Sequence, residues 1–183
     1  MGEDEGSLSE GHISGEYILI MIFVTVGTHE QPFDRLIKYI DRFAEGVDEE
    51  VIVQTGVSKY KPVNCKWQSF YKQQEVYDLI EAARIVITHG GPSSYIDVLQ
   101  RGKIPIVVPR YHKYGEHFDD HQLSIGCEYK KLYNDIILIE DIELLGEAIM
   151  NYDFITSSID NNYISHSPEF CKAFADIVDR LFP

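Results

Sequence analysis

Apolar positions along this chain alternate between two patterns: short continuous runs, and stripes at helical spacing. Ile18–Val26 is a continuous apolar run closed by Gly27, and it reads as a buried strand. Beyond the loop Gly27-Thr28-His29-Glu30-Gln31-Pro32, residues Phe33, Leu36, Ile37, Ile40 and Phe43 share one helical face, with Asp34, Arg35, Lys38 and Asp41 elsewhere, as far as Gly46. Glu50–Gln54 predicts a short strand, Gly56–Pro62 a polar loop, and Val63–Trp67 a weaker strand. A helix follows over Gln73–Ala83 with Val76, Leu79 and Ile80 inward. Then come a strand at Ile85–Thr88, a helix over Pro92–Arg101 and a strand at Ile104–Pro109. Further on, the pattern predicts a helix over His117–Ile125 ending at Gly126, a strand at Ile136–Ile139, and a helix over Asp141–Met150 with Asp141 as its N-cap. Asn151–Ser167 reads as a polar connector. A last helix from Ser167 carries the stripe Phe170, Phe174, Ile177, Val178 and Leu181, which is expected to close over the sheet.

Alternating strands and helices predict an α/β fold, a doubly wound parallel sheet of Rossmann-like type. At 183 residues the chain has room for one domain with a substantial core, and is too short for two full Rossmann halves. Residues 1–16, rich in Gly, Ser and Glu, read as a disordered leader or an expression remnant, before a single domain over 17–183. The apolar run Tyr17–Val26 is half the roughly 20 residues a bilayer-spanning helix needs. No basic segment precedes it, which argues against a secretory signal.

Charge narrows the partners. The formal balance of −14 argues against nucleic acid, and against holding an acidic membrane by electrostatics alone. Three widely spaced cysteines without a CxxC pair point to free thiols in a reducing, cytoplasmic setting.

The chemistry-bearing stretch is Thr88-His89-Gly90-Gly91-Pro92-Ser93-Ser94. A strand, a glycine turn and a helix start together aim backbone N–H groups and a positive helix end at one spot, a site for phosphate or diphosphate. Gly90 and Gly91 allow close approach, Pro92 suits a first helical position, and Ser93 and Ser94 add hydroxyls. Asp97, further along the helix, can accept both hydroxyls of a ribose. Gly27 and Thr28 end the first strand at the same sheet edge, with His29 and Glu30 as an acid–base candidate pair. Asp119 and Gln122, at i and i+3, are expected to share a helix face and to suit sugar hydroxyls. His112, His117 and His121 lack a further ligand cluster, so no metal site is expected. No GxSxG, Walker A lysine or GxGxxG is present, which disfavours serine hydrolases, P-loop NTPases and dinucleotide oxidoreductases.

The block from Thr88 through Gly102 to Pro109, followed by Asp119-Asp120-His121-Gln122, resembles the C-terminal donor-binding half of GT-B glycosyltransferases of family 28. Phe23-Val24-Thr25-Val26-Gly27-Thr28-His29-Glu30-Gln31-Pro32-Phe33-Asp34-Arg35-Leu36 is similar to the PssE-type small subunits of exopolysaccharide and capsule synthesis. Those are akin to the catalytic subunit of the split dolichol-linked N-acetylglucosaminyltransferase. The resemblance covers about Met21 to Met150. It implies an inverting, metal-free transfer from a UDP-sugar to a lipid-linked acceptor, by a chain held at the inner face of the membrane through a membrane-anchored partner that supplies the acceptor half.

By position, the resemblance assigns Gly91, Ser93 and Ser94 to the diphosphate, Asp97 to the ribose, and His121 with Gln122 to the donor hexose. Gly27 and Thr28 would close over the phosphates, and Phe70 would neighbour the uracil. The catalytic base falls at His29 or Glu30, or in the partner. A non-catalytic nucleotide-sugar-binding helper is the alternative reading. An epimerase is a third, disfavoured because such enzymes carry both halves in one chain.

Overall fold

The computed structural model describes residues 21–159 and 167–181, with side chains in the last helix described from Cys171 onward. The expected leader, residues 1–16, lies outside the described residues. Six parallel strands form one sheet in the order β3-β2-β1-β4-β5-β6. They are β1 (Met21–Thr25), β2 (Glu50–Gln54), β3 (Lys66–Gln68), β4 (Ile85–His89), β5 (Ile106–Val108) and β6 (Ile137–Leu138). This is the full doubly wound order. Strands of two to five residues fit that order into one sheet.

Alternation along the strands sorts side chains between two layers. Ile22, Val24, Val53, Ile87 and Val108 face α1 (Asp34–Ala44), whose Leu36, Ile37 and Ile40 are fully buried. Met21, Phe23 and Val86 face the opposite way, onto Ile80 and Ala83 at the end of α2 (Gln73–Ala82) and Val98 of α3 (Pro92–Leu99). Tyr95 and Leu99 of α3 pack with Val107 and Leu138 in a third cluster. Burial on both faces explains why β1 and β4 read as continuous apolar runs. Edge strand β3 is exposed at all three residues, so its sequence carries little pattern.

Asp41, placed by its spacing off the apolar face of α1, is buried. Its carboxylate accepts hydrogen bonds from Val63 N (2.9 Å), Asn64 N (2.7 Å) and the Tyr60 hydroxyl (2.5 Å), fixing the loop before β3.

Three elements differ from expectation. The helix predicted over His117–Ile125 is α4 (His121–Tyr133), which runs through Gly126 and ends at Asn134 in the left-handed region (φ 50°). Gly126 is a packing residue: a Cβ there would stand 3.0 Å from Leu138 Cδ1. Asp141 caps a 3-10 turn at Ile142–Leu144, accepting Glu143 N at 3.1 Å, and α5 (Leu145–Met150) and α6 (Tyr152–Thr156) follow. The helix α7 (Ser167–Leu181) leaves Phe174, Ile177 and Leu181 exposed, so its stripe does not cover the sheet.

Candidate functional site

The strand order reverses between β1 and β4, and ligands of open α/β sheets bind outside the carboxyl ends of the strands at such a point. A cavity of about 500 Å³ lies there. Gly27, Thr28 and His29 after β1 line one side, and His89, Ser93, Ser94 and Asp97 after β4 line another. Tyr71, Val76, Tyr77 and Ile80 add an apolar and aromatic wall. Of the residues singled out from sequence, these seven polar and glycine positions come together. Phe70 is exposed and is not among the lining residues, whereas its neighbour Tyr71 is. Glu30 is exposed, as are Asp119 and His121.

The glycine turn is more occupied than its sequence suggests. Gly90 N donates to Gln122 Oε1 (3.0 Å), and Gly91 N donates to His89 Nδ1 (3.0 Å). A Cβ at Gly90 would meet Gln122 Cβ at 2.9 Å, and one at Gly91 would meet His89 Cε1 at 2.3 Å. The glycines therefore admit this chain's own side chains. Ser94 N is bonded to Gly91 O (3.0 Å), and Pro92 has no N–H. Ser93 N and the hydroxyls of Thr28, Ser93 and Ser94 are among the donors this edge offers an anion.

His89 is wedged between two loops. A Cβ on Gly27, which has φ +72°, would lie 2.4 Å from its Nε2. Because Nδ1 accepts from Gly91 N, the proton of the neutral ring sits on Nε2 and points at Ser94 Oγ, 2.8 Å away. Burial, with the charge of Arg110, pushes its pKa down to about 3. The unfolded chain then binds a proton that the folded chain refuses, so this group favours folding fully above about pH 6.5. That contribution is lost as pH falls below 6.5, at up to about 1.4 kcal/mol per pH unit. We expect the wild type to lose more stability than His89→Asn between pH 7 and 5 in urea titrations; parallel losses would contradict the assignment.

Asp97 faces the cavity. Burial raises its carboxyl above the usual range, with Arg101 pulling in the opposite direction. Arg101 binds the Asp97 backbone carbonyl (Nη1 to O, 2.8 Å).

Asp119 and Gln122 do not share a helix face, contrary to the spacing argument. Asp119 lies before α4 on the exposed side, while Gln122 is buried and its Oε1 also accepts Arg110 N (3.2 Å). Asp119 Oδ1 instead meets His117 Nδ1 (3.0 Å) and accepts His121 N (3.1 Å). The His117 ring stacks on that of His29, with centroids 4.8 Å apart.

Sequence reasoning missed Arg110 and its surroundings. The Arg110 guanidinium is buried and donates to the carbonyls of Val26 (2.8 Å), Gln31 (2.9 Å), Pro32 (3.3 Å) and Glu116 (3.1 Å). Burial lowers its pKa to about 10, with Glu116 acting the other way. Glu116 takes a two-pronged bond from Arg35, with Nε and Nη2 both at 2.9 Å. This network ties the loop after β1 to the loop after β5. Among the described residues, no group of three His, Cys, Asp or Glu side chains is placed to hold a metal ion.

A six-stranded parallel sheet in this order, with a polar cavity at its switch point, defines a doubly wound, Rossmann-like ligand-binding domain. Residues 21–179 match the glycosyltransferase family 28 C-terminal domain, and the chain belongs to that family.

Solved structures of similar fold include the glycotransferase of kitacinnamycin (TM-score 0.54, 18% identity, 72% of this chain and 34% of that one). The spinosyn forosaminyltransferase is similar too (TM-score 0.55, 15% identity, 78% and 36%), as is the calicheamicin glycosyltransferase (TM-score 0.53, 13% identity, 75% and 34%). The chain spans about a third of the length of these relatives. No curated protein matches its sequence. Among the described residues, no helix is long and apolar enough to cross a membrane.

Proposed function

We propose that this chain is the donor-binding, catalytic part of an inverting glycosyltransferase that uses a UDP-sugar. The observation that carries the reading is the cavity at the β1/β4 switch point, in a chain of this family, with hydroxyls and a carboxylate spaced along one helix start. In the proposal, Ser93 N and the hydroxyls of Thr28, Ser93 and Ser94 receive the diphosphate, Asp97 the ribose, and the Tyr71 side of the cavity the uracil. The helix α3 dipole and these donors stabilise the departing UDP without a metal. His121 reaches the donor hexose, and Gln122 supports it by anchoring Gly90 and Arg110. The acceptor is lipid-linked, the process is cell-surface polysaccharide synthesis of the PssE type, and a membrane-anchored partner supplies the acceptor half. The motifs at Phe23–Leu36 and Thr88–Pro109 support these finer assignments.

Thermal unfolding in the presence of EDTA tests the donor class. At a hundredfold excess over Kd, UDP and UDP-sugars are expected to raise Tm by roughly 5–10 °C. ADP and GDP should do markedly less. An equal response to purine nucleotides, or none to UDP, would overturn the reading.

A further inference from the structure

Two imidazoles meet where one of them lines the cavity, and their hydrogen bonds give them opposite chemistry. His29 lines the cavity, and its Nδ1 accepts Gln31 N at 3.1 Å. A backbone N–H only donates, so this Nδ1 bears the lone pair, and the neutral ring carries its proton on Nε2. Burial and the charge of Arg110 lower the His29 pKa, which favours that neutral form.

His117 is arranged the other way round. Its Nδ1 lies 3.0 Å from Asp119 Oδ1, and an ionised carboxylate only accepts. Asp119 is held below the usual carboxyl range, first by the His121 N–H and then by His117 itself. The same Nδ1 is 3.4 Å from Asp119 N, a longer contact that the carboxylate outweighs. The proton therefore sits on His117 Nδ1, and Nε2 is left with a free lone pair. The Phe118 ring packs 5.8 Å from His29 and 6.0 Å from His117 and is itself 71% exposed, forming an apolar rim beside the pair. Glu30 and Arg110 are the other ionisable groups that act electrostatically on His29, and His29 in turn acts on His89.

We propose that His117 is the proton acceptor of this pair, that Asp119 positions it, and that His29 is a proton-bearing donor toward the diphosphate rather than the base. The inference rests on the transferase reading above. In the step it describes, the acceptor hydroxyl oxygen forms the new bond to the anomeric carbon while its proton passes to His117 Nε2. The bond from that carbon to the diphosphate oxygen breaks with its electron pair leaving on UDP. His29 Nε2–H hydrogen-bonds that developing charge. Atoms and charge balance with no further reactant.

The test uses the whole chain with ¹⁵N-labelled histidine, and imidazole correlation spectra at neutral pH assigned with His29→Gln and His117→Gln. The expected result is a His29 ring protonated on Nε2 and a His117 ring protonated on Nδ1. Asp119→Asn should shift His117 toward the Nε2–H form without touching His29, and Asp119→Glu should restore it. Asp119 is exposed, so these variants keep the fold. A His117 ring that is Nε2–H in the wild type, or indifferent to Asp119→Asn, would overturn the inference. UDP is then added. Shifts at His29 together with the Ser93 and Ser94 amides support the role at the donor site. Shifts at the serine amides alone would remove the histidine pair from the reaction and leave donor binding standing. The expected tautomers with no UDP response anywhere would sink the donor reading and, with it, the role assigned to the pair.

Discussion

Replacing Arg110 by methionine is expected to destabilise the protein by about 3–5 kcal/mol, the scale of breaking a buried charged network. The side chain is 1% exposed, and its guanidinium stacks 4.6 Å from the Phe33 ring centroid. Its N–H groups satisfy four backbone carbonyls drawn from the loop after β1 and the loop before α4. Methionine fills similar volume and keeps the apolar contact, so the loss isolates those hydrogen bonds. Lysine keeps the charge but reaches fewer carbonyls and should fall between. Urea unfolding with an unchanged m-value measures this directly, and a loss below about 1 kcal/mol would mean the two loops are held by something else. The loop carrying Gly27–Gln31 loosens in the variant, so nucleotide affinity should fall along with stability.

The second large effect separates binding from stability. Asp97→Asn is expected to weaken UDP binding about 10- to 100-fold, since hydrogen bonds to a charged acceptor are worth roughly 1.5–3 kcal/mol. The free protein should not suffer. Burial already raises the Asp97 carboxyl, so a neutral amide of the same shape relieves that penalty and leaves stability equal or slightly higher. Calorimetric titration with UDP, beside urea unfolding of the same variant, reads both quantities. Loss of binding with loss of stability would make Asp97 a structural residue. Unchanged binding would remove it from the site.

Much of this fold is legible in the chain, because buried parallel strands announce themselves as apolar runs. Ile85–His89 and Ile106–Val108 are examples, each delivering its following loop to the same edge. The cavity wall from Gly27 to His29 and from Ser93 to Asp97 follows from that placement. What stays hidden depends on partners distant in sequence. Arg110 looks like an ordinary loop cation because its four acceptors are backbone carbonyls, which no side-chain pattern records. Gly90 and Gly91 look like room for a ligand, yet Gln122 and His89 take up that room and two of the N–H groups. Gly126 reads as a helix stop but sits mid-helix, where a Cβ would crowd Leu138. His117 and Asp119 gain their meaning only when the loop before α4 brings them against His29, across a long stretch of chain.

The proposed function requires that a nucleoside diphosphate bind at the switch point between β1 and β4. Backbone hydrogen exchange of the whole chain with and without UDP tests it most directly, because a rival cavity sits at the opposite edge of the sheet. That cavity, about 410 Å³, is lined by Ala83, Arg84, Lys103, Ile104 and Tyr152 among others. New protection is expected across residues 27–31 and 89–97, with the Ala83 and Ile104 region unchanged. Protection at the Ala83, Ile104 and Tyr152 edge, with none at the glycine turn, would contradict it.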